Sequence, residues 1–497
     1  MSNNYKSIAK ANALFGGVQV YRIIIGILRS KAIALLLGPE GMGIMGLYNS
    51  SVDLVKQATG FGLNTSAVRD VAIANSEGNQ DRIISVYSVL SKLVWVTGFL
   101  GTIVMLLFAR QLSIYTFESE NYTIGFRILS VVLLTYQLTV RNNVLLQGLR
   151  KLKDLAKANV IGSTLGLIVI PLYYLWGYSA IVPSIIIVAV ISYIVTQFYV
   201  HKMQLSYRQI DLKESLKIGK TMLLMGFLLS LTSFMDVIQA YFIKIYISRW
   251  GGVPEVGLYN AGFGLITTYV GLVFNAIGTD YYSRLSMVCN DKHKYNQVIN
   301  EQLEIMLLVL TPLLVFFISF SKILVYILYS EDFYPITMMV NLMCVGMVLR
   351  AINWCQGYMF LAKGDSIIYS ISYVMVFIIA FALYLGGYYK WGLTGIGIAF
   401  IGLYLYCTLT GIGVTWWLYR CVYYKTAYKL MTYSLGMTII TVLVTFLSRN
   451  YTFIYTICVL LIICSSIISY RGLNSRLDIS VFIKNKLRKR DEQSKTD

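Results

Sequence analysis

The sequence predicts an all-α integral membrane protein of about fourteen transmembrane helices, built as two parallel six-helix halves plus two C-terminal helices. Three observations carry this reading. Of the 497 residues, 57% are hydrophobic and only 13% charged, where a soluble domain runs nearer half apolar and a quarter charged. The cations fall mainly between the apolar runs. Short motifs recur at nearly one spacing along the chain.

The apolar runs set the helix count. A spanning helix needs roughly 20 mostly apolar residues. That template fits about 10–37, 41–63, 83–109, 124–148, 158–176, 180–200, 221–248, 256–282, 303–328, 336–361, 366–387, 391–419, 429–447 and 451–470. The expected organisation is a first six-helix half over 1–200, a linker over 201–220 and a second half over 221–420. Two added helices over 421–470 and a basic tail over 471–497 complete it.

Charge sets the expected orientation. With the N-terminus inside, the cytoplasmic segments and tail hold 28 Lys/Arg and the outer segments five, namely Arg110, Arg249, Lys322, Lys390 and Arg449. Cytoplasmic loops are enriched in Lys/Arg, so both termini are expected inside. The net charge of +19 therefore reports topology, and no aromatic–basic patch points to nucleic acid. The start of the chain leads into a long helix without a small-residue cleavage site, so no cleavable signal peptide is expected.

The repeat comes from collinear matches. Gly46-Leu47-Tyr48-Asn49 recurs as Gly257-Leu258-Tyr259-Asn260. Arg141 precedes Gln147-Gly148 as Arg350 precedes Gln356-Gly357. Tyr173-Tyr174 and Trp176-Gly177 recur as Tyr388-Tyr389 and Trp391-Gly392. The offsets are 211, 209 and 215. Six spans per copy is an even number, which makes the copies parallel, and paired halves of this kind carry substrate by alternating access.

Nine cations remain at membrane depth: Arg22, Arg29, Lys31, Lys56, Lys92, Arg127, Arg141, Lys244 and Arg350. Only three acids lie there, Asp53, Asp236 and Asp280. A charge at the bilayer centre costs roughly 2.5–3.5 kcal/mol on insertion scales, so such residues face a cavity or a partner. Lys92 and Lys56 are the best candidates for snorkelling to the interface, and Asp53 can pair with Lys56 one turn away. Three acids cannot neutralise the remainder. The expected substrate-binding set in a cationic cavity is Arg22, Arg29, Lys31, Arg127, Arg141, Lys244 and Arg350, and its natural cargo is anionic, since guanidinium forks suit phosphate oxygens. Asp53, Asp236 and Asp280 are the candidates for proton or cation coupling.

Catalytic chemistry is sparse. The two histidines, His201 and His293, fall in loops. Ile218-Gly219-Lys220-Thr221 resembles the end of a P-loop, but Glu214 stands where the first glycine is required. None of the seven cysteines forms a CxxC pair, so no disulfide framework or zinc site is expected. The chain reads as a transporter without a metal or organic cofactor.

Two stretches carry a family resemblance. Lys31-Ala32-Ile33-Ala34-Leu35-Leu36-Leu37-Gly38-Pro39-Glu40-Gly41-Met42-Gly43 and Gly60-Phe61-Gly62-Leu63-Asn64-Thr65-Ser66-Ala67-Val68-Arg69-Asp70-Val71-Ala72 resemble the Wzx-type O-antigen translocases. These belong to the polysaccharide transporter family, within the superfamily of multidrug, oligosaccharidyl-lipid and polysaccharide exporters. The resemblance is strongest over residues 5–75. It implies a flippase moving polyprenyl-pyrophosphate-linked oligosaccharide, an O-antigen or other surface repeat unit, across a bacterial inner membrane in lipopolysaccharide or related biosynthesis. Lys31 is the position it carries over. It also implies membrane lipids and polysaccharide-assembly proteins as partners. A lipid II flippase and a multidrug exporter are alternatives within the superfamily; a drug exporter would want an acidic cavity. A membrane glycosyltransferase or polymerase would need a long outer catalytic loop that this topology lacks.

The orientation predicts a labelling pattern. In a cysteine-free background, a cysteine near Lys213 or Lys486 should react only with reagents that enter the cytoplasm, and one near Ser119 should react from outside. A reversed pattern at both places overturns the orientation.

Overall fold

The structure is a computed structural model that describes residues 3–205, 207, 211–447 and 451–477. All regular elements among the described residues are helical. Among the described residues, ten helical stretches are long and apolar enough to cross a membrane. Two of them are too long for one crossing: Leu152–His201 has 50 residues and Ser366–Tyr419 has 54. At about 1.5 Å per residue each would extend roughly 75–80 Å, against a hydrocarbon core of about 30 Å. Both double back. Gly402 lies against Leu383, and Gly166 against Val188, contacts that a straight helix cannot make. The first helix, Asn3–Thr59, breaks at Gly38 and supplies two more crossings. Eight single crossings, two doubled ones and the broken first helix make fourteen.

We number them α1 (3–37), α2 (39–59), α3 (Gln80–Leu107), α4 (Thr123–Gly148), α5 (152–176), α6 (Ile181–His201) and α7 (Leu212–Gly251). The rest are α8 (253–287), α9 (Lys292–Ser319), α10 (Thr337–Lys363), α11 (366–390), α12 (393–419), α13 (Lys425–Leu447) and α14 (Tyr451–Leu477).

The repeat extends well beyond its three sequence matches. The turn between α5 and α6 has Gly177 at φ 54°, ψ −131°, and the turn between α11 and α12 has Gly392 at φ 55°, ψ −139°. A Cβ forbids that combination, so the recurring Trp-Gly pair marks the same hairpin twice. Asn79 caps α3 by accepting from the Arg82 amide at 3.2 Å. Asp291 caps α9 by accepting from the His293 and Lys294 amides, both at 3.1 Å. A short helix, Ala109–Phe117, joins α3 to α4, and its counterpart Ser321–Leu328 joins α9 to α10. Neither short helix has a counterpart in the fourteen expected spans; at nine and eight residues they are too short for the spanning template, and the expected span 303–328 merged the second with α9.

Packing divides the described residues into two units. The first runs to 261 and includes 328–333; the second covers 262–327 and runs on from 334. Helix α7 falls in the second copy of the sequence repeat and packs inside the first unit. Glycines make this docking close. A Cβ on Gly226 would overlap the Phe61 carbonyl, and one on Gly62 the Gly226 carbonyl. Further along, Thr116 Oγ1 meets Tyr241 OH at 2.8 Å, and Arg249 lies 3.6 Å from Glu118. The two Gly-Leu-Tyr-Asn copies meet each other in this unit. A Cβ on Gly257 would overlap the Pro39 carbonyl, one on Gly43 the Val253 carbonyl, and one on Gly46 the Asn260 amide. Without a hydrophobic drive between helices in lipid, such small-residue seams supply the close packing.

In the second unit, a polar stripe on α9 holds the two added helices. Asn300 donates to the Val422 carbonyl at 3.0 Å and accepts from the Tyr424 amide at 2.7 Å. One turn on, buried Glu304 accepts from Thr426 Oγ1 and from Arg476 Nε and Nη2 at 2.8 and 2.7 Å. Thr311 bonds Ser434 at 2.7 Å. Arg476 falls in the tail on composition; α14 continues to Leu477 and brings it onto Glu304.

The glycine seam predicts a stability difference. Valine at Gly257 should lower the melting temperature of the purified protein measurably, because overpacking a tight contact costs about 1–3 kcal/mol. Valine at Gly264, where a Cβ meets nothing within 4 Å, should leave it nearly unchanged. Equal melting temperatures for the two variants would contradict the seam.

Candidate functional site

Membrane-depth charge concentrates in one cluster in each unit. In the first unit the cluster grows from α2. Ser50, Asp53 and Gln57 recur at helical spacing and share a face. Lys56 beside them pairs with Asp53 and stands 4.3 Å over the Tyr136 ring of α4. Helix α7 closes the stripe. Lys244 Nζ donates to Ser50 Oγ at 2.7 Å, and Ser50 Oγ donates to the Gly46 carbonyl at 2.7 Å. Gln57 Nε2 reaches the Ser230 carbonyl at 3.4 Å. One carboxylate, two ammonium groups and two uncharged polar side chains thus share a surface. Asp53 and Lys244 from the sequence set meet here. Ser50, Gln57 and Tyr136 were missed, although the polar residues Asn49, Ser50, Ser51, Asp53, Lys56 and Gln57 set into an otherwise apolar helix were a legible signal for the first two.

The other first-unit candidates differ in setting. Arg22 is exposed and Arg29 half-buried on α1, with Arg29 Nε buried and lacking a hydrogen-bond partner among the described residues. Lys31 is half-buried two residues on. Arg127 is exposed in the second turn of α4, close enough to the helix end to reach an interface. Asp236 is exposed on α7. The side chain of Asp280 lies outside the described residues.

Arg141 is engaged by protein. It is only 8% exposed. Nη2 donates to Gln197 Oε1 at 2.7 Å and to Asn142 Oδ1 at 3.1 Å, and Nε donates to Asn142 Oδ1 at 3.2 Å. Asn142 in turn donates to Thr196 Oγ1 at 3.2 Å. The guanidinium ties α4 to α6 through neutral oxygens and has part of its fork already spent.

Its repeat counterpart, Arg350, is the cluster of the second unit. It is the fourteenth of the 27 residues of α10, at mid-helix, and half-buried. Phe274 of α8 and Tyr404 of α12 lie 5.4 and 5.8 Å from its guanidinium carbon. Its hydrogen-bond contact is a thioether, Met347 Sδ at 3.9 Å, a weak acceptor. Among the described residues no carboxylate pairs with it. Equal places in the repeat therefore carry unequal chemistry: one arginine has Nε and Nη2 bonded to amide oxygens, and the other, flanked by rings, has a thioether as its hydrogen-bond contact among the described residues. Sequence could not separate them, because Gln197, Phe274 and Tyr404 are remote in the chain. No group of three or more metal-ligating side chains occurs among the described residues.

Comparison with known proteins fits this geometry. The family described as "Polysaccharide biosynthesis protein" matches residues 32–338. A Shigella flexneri protein named "Putative O-antigen transporter" is 24% identical over 377 residues, 73% of this chain and 87% of that one. Among solved structures, the lipid II flippase MurJ in an inward closed conformation superposes with a TM-score of 0.67 at 16% identity, covering 94% of this chain and 99% of that one. An inward-facing multidrug resistance MATE family transporter of the MOP superfamily superposes with a TM-score of 0.65 at 16% identity, covering 81% and 96%. At such identities the structures speak for the fold, which is the fold the sequence resemblance implied.

The two arginines predict opposite phenotypes. Alanine at Arg141 leaves Asn142 and Gln197 oxygens without their donor, at about 1–3 kcal/mol each where buried, and should lower the melting temperature clearly. Glutamine at Arg350 should change it little. A melting series on both variants checks this, and the reverse order would refute the assignment.

Proposed function

The chain belongs to the polysaccharide biosynthesis protein family, and from that membership we propose that it flips a polyprenyl-pyrophosphate-linked oligosaccharide across the bacterial cytoplasmic membrane, from the inner to the outer face, by alternating access. It is a multi-pass membrane transporter. The observation that carries the cargo assignment is Arg350, a mid-helix guanidinium with an unspent donor edge and no carboxylate partner among the described residues. Such a charge needs an anion from outside the protein, and a phosphate offers oxygens that match the guanidinium fork. Arg29, whose buried Nε has no hydrogen-bond partner among the described residues, adds to the same demand. In the first unit, Lys31 and Lys244 are further cations of the proposed substrate-binding set.

The charge asymmetry supports both termini on the cytoplasmic side and delivery of the glycan outward, where polysaccharide-assembly proteins would receive it. Asp53 is the coupling candidate that geometry favours. It shares its stripe with Lys56 and Lys244, so taking up a proton or releasing a cation there would change the charge beside α7. A ligand shifts a conformational equilibrium only through different affinity for the two states, and a charge change at a helix seam supplies such a difference.

Deletion should leave lipid-linked oligosaccharide on the inner face and abolish the surface polymer. In complemented cells, alanine at Arg350, Arg29 or Lys31 should cut surface polysaccharide by about tenfold or more at normal protein level. Lysine at Arg350 should restore part of it, since the charge survives and the fork does not. Alanine at Arg127 should have little effect. Normal transport by all three alanine variants would overturn the anionic-cargo reading.

A further inference from the structure

Arg350 does not stand alone on its helix. Trp354 and Tyr358 follow one and two turns later, so the three share a face of α10. A half-exposed arginine at mid-membrane does not face hydrocarbon. The two rings on its face therefore border the same polar space.

That face is held rigid from behind. Tyr281 of α8 is fully buried and stacks on Trp354 at 5.7 Å and 24°. Its hydroxyl donates to the Cys355 carbonyl at 3.0 Å, which fixes the ring. Tyr358 meets Trp354 edge-on at 4.7 Å. Both Trp354 and Tyr358 remain half-exposed. Between them in the sequence stands Gly357, where a Cβ would meet nothing within 4 Å, so there is open room beside the rings. Next to this face, α8 carries a π-helical turn at Ile266–Val270, a feature that concentrates at functional sites.

We propose that Arg350, Trp354 and Tyr358 form a glycosyl-phosphate subsite, in which the guanidinium edge takes a phosphate oxygen and the rings take the apolar face of the first sugar joined to it. Phe274 and Tyr404 flank the guanidinium and leave its in-plane donors as the reachable ones, which orients the phosphate. The rigid Trp354–Tyr281 stack sets the plane of the sugar. The subsite reads the phosphate and the sugar together, so it separates a lipid-linked glycan from an ordinary phospholipid. This proposal rests on the flippase reading and adds to it the part of the cargo that is recognised.

The test uses the full chain in phosphatidylcholine nanodiscs, titrated calorimetrically with N-acetylglucosamine 1-phosphate and with inorganic phosphate. The parent should bind the sugar phosphate roughly tenfold more tightly than phosphate, a factor equal to about 1.4 kcal/mol. Leucine at Trp354 should erase that preference and leave phosphate binding unchanged; phenylalanine there should keep most of it. Leucine at Tyr358 should weaken it, which guards against a Trp354 variant that fails to fold. Glutamine at Arg350 should lose both ligands. The proposal is overturned if Trp354→Leu keeps the full preference, if Arg350→Gln binds as the parent does, or if phosphatidylglycerol in the nanodisc displaces the sugar phosphate, since a headgroup site would do that. Deletion cells separate the two readings. Loss of surface polymer on deletion, with the preference intact in Trp354→Leu, sinks the subsite alone. Normal surface polymer on deletion, with the preference seen in vitro, sinks the flippase reading and leaves the subsite.

Discussion

A charge at membrane depth must be compensated by something other than water, and the chain satisfies that one demand in several ways. Lys56 is paired with Asp53 one turn away. Glu304, which the sequence count of acids at membrane depth left out, is buried and paired with Arg476 and Thr426. Arg141 is buried among amide oxygens. Each of these compensations also ties helices together: Lys56 leans on α4, Glu304 holds α13 and α14 to α9, and Arg141 binds α4 to α6. Arg350 is compensated more weakly than these, by ring faces and a thioether among the described residues. A buried charge that loses a partner is strongly destabilising, so Glu304 and Arg141, both buried among their partners, are poor candidates for repeated binding and release of an anion. The under-compensated one is where a transient anion would gain most.

The sequence repeat and this sorting of charges are two sides of one history of use. The backbone has kept its symmetry: the Trp-Gly hairpins repeat to within a few degrees, and the Asn79 and Asp291 caps open equivalent helices. Side chains have not. Gln147 is exposed, whereas its counterpart Gln356 is buried and donates to Tyr423 OH at 3.2 Å. Backbone geometry is shared because each hairpin solves the same steric problem.

Helix α7 shows how small residues decide membrane packing. Apolar side chains gain little from leaving lipid for another helix, so close approach must come from shape. Gly226 against Phe61 and Gly62, with the Gly43, Gly46 and Gly257 seam between α2 and α8, provides that shape in the first unit. These contacts draw the second copy's first crossing into the packing of the first unit. They also set Lys244 beside Ser50, and so assemble the stripe to which Asp53 belongs.

Much of this was legible from sequence. Apolar run length and the loop cations are local or additive properties, and they sufficed for an all-α membrane protein with fourteen crossings and a duplicated core. The Asp53–Lys56 pair was readable because its partners lie one turn apart on the same helix. Membrane-depth cations could be counted, and the count raised the expectation of an anionic cargo. What the sequence could not rank was those cations against one another. Arg141 and Arg350 hold the same place before the same Gln-Gly. Asn142, beside Arg141 where Ala351 follows Arg350, was in the sequence, but only the tertiary structure put Gln197 on the first and Phe274 and Tyr404 on the second. Arg476 likewise read as one of many tail cations until α14 carried it to Glu304. The reason is physical: a charge's worth at membrane depth is set by the few groups within about 4–6 Å of it, and those groups arrive from helices far apart in the chain.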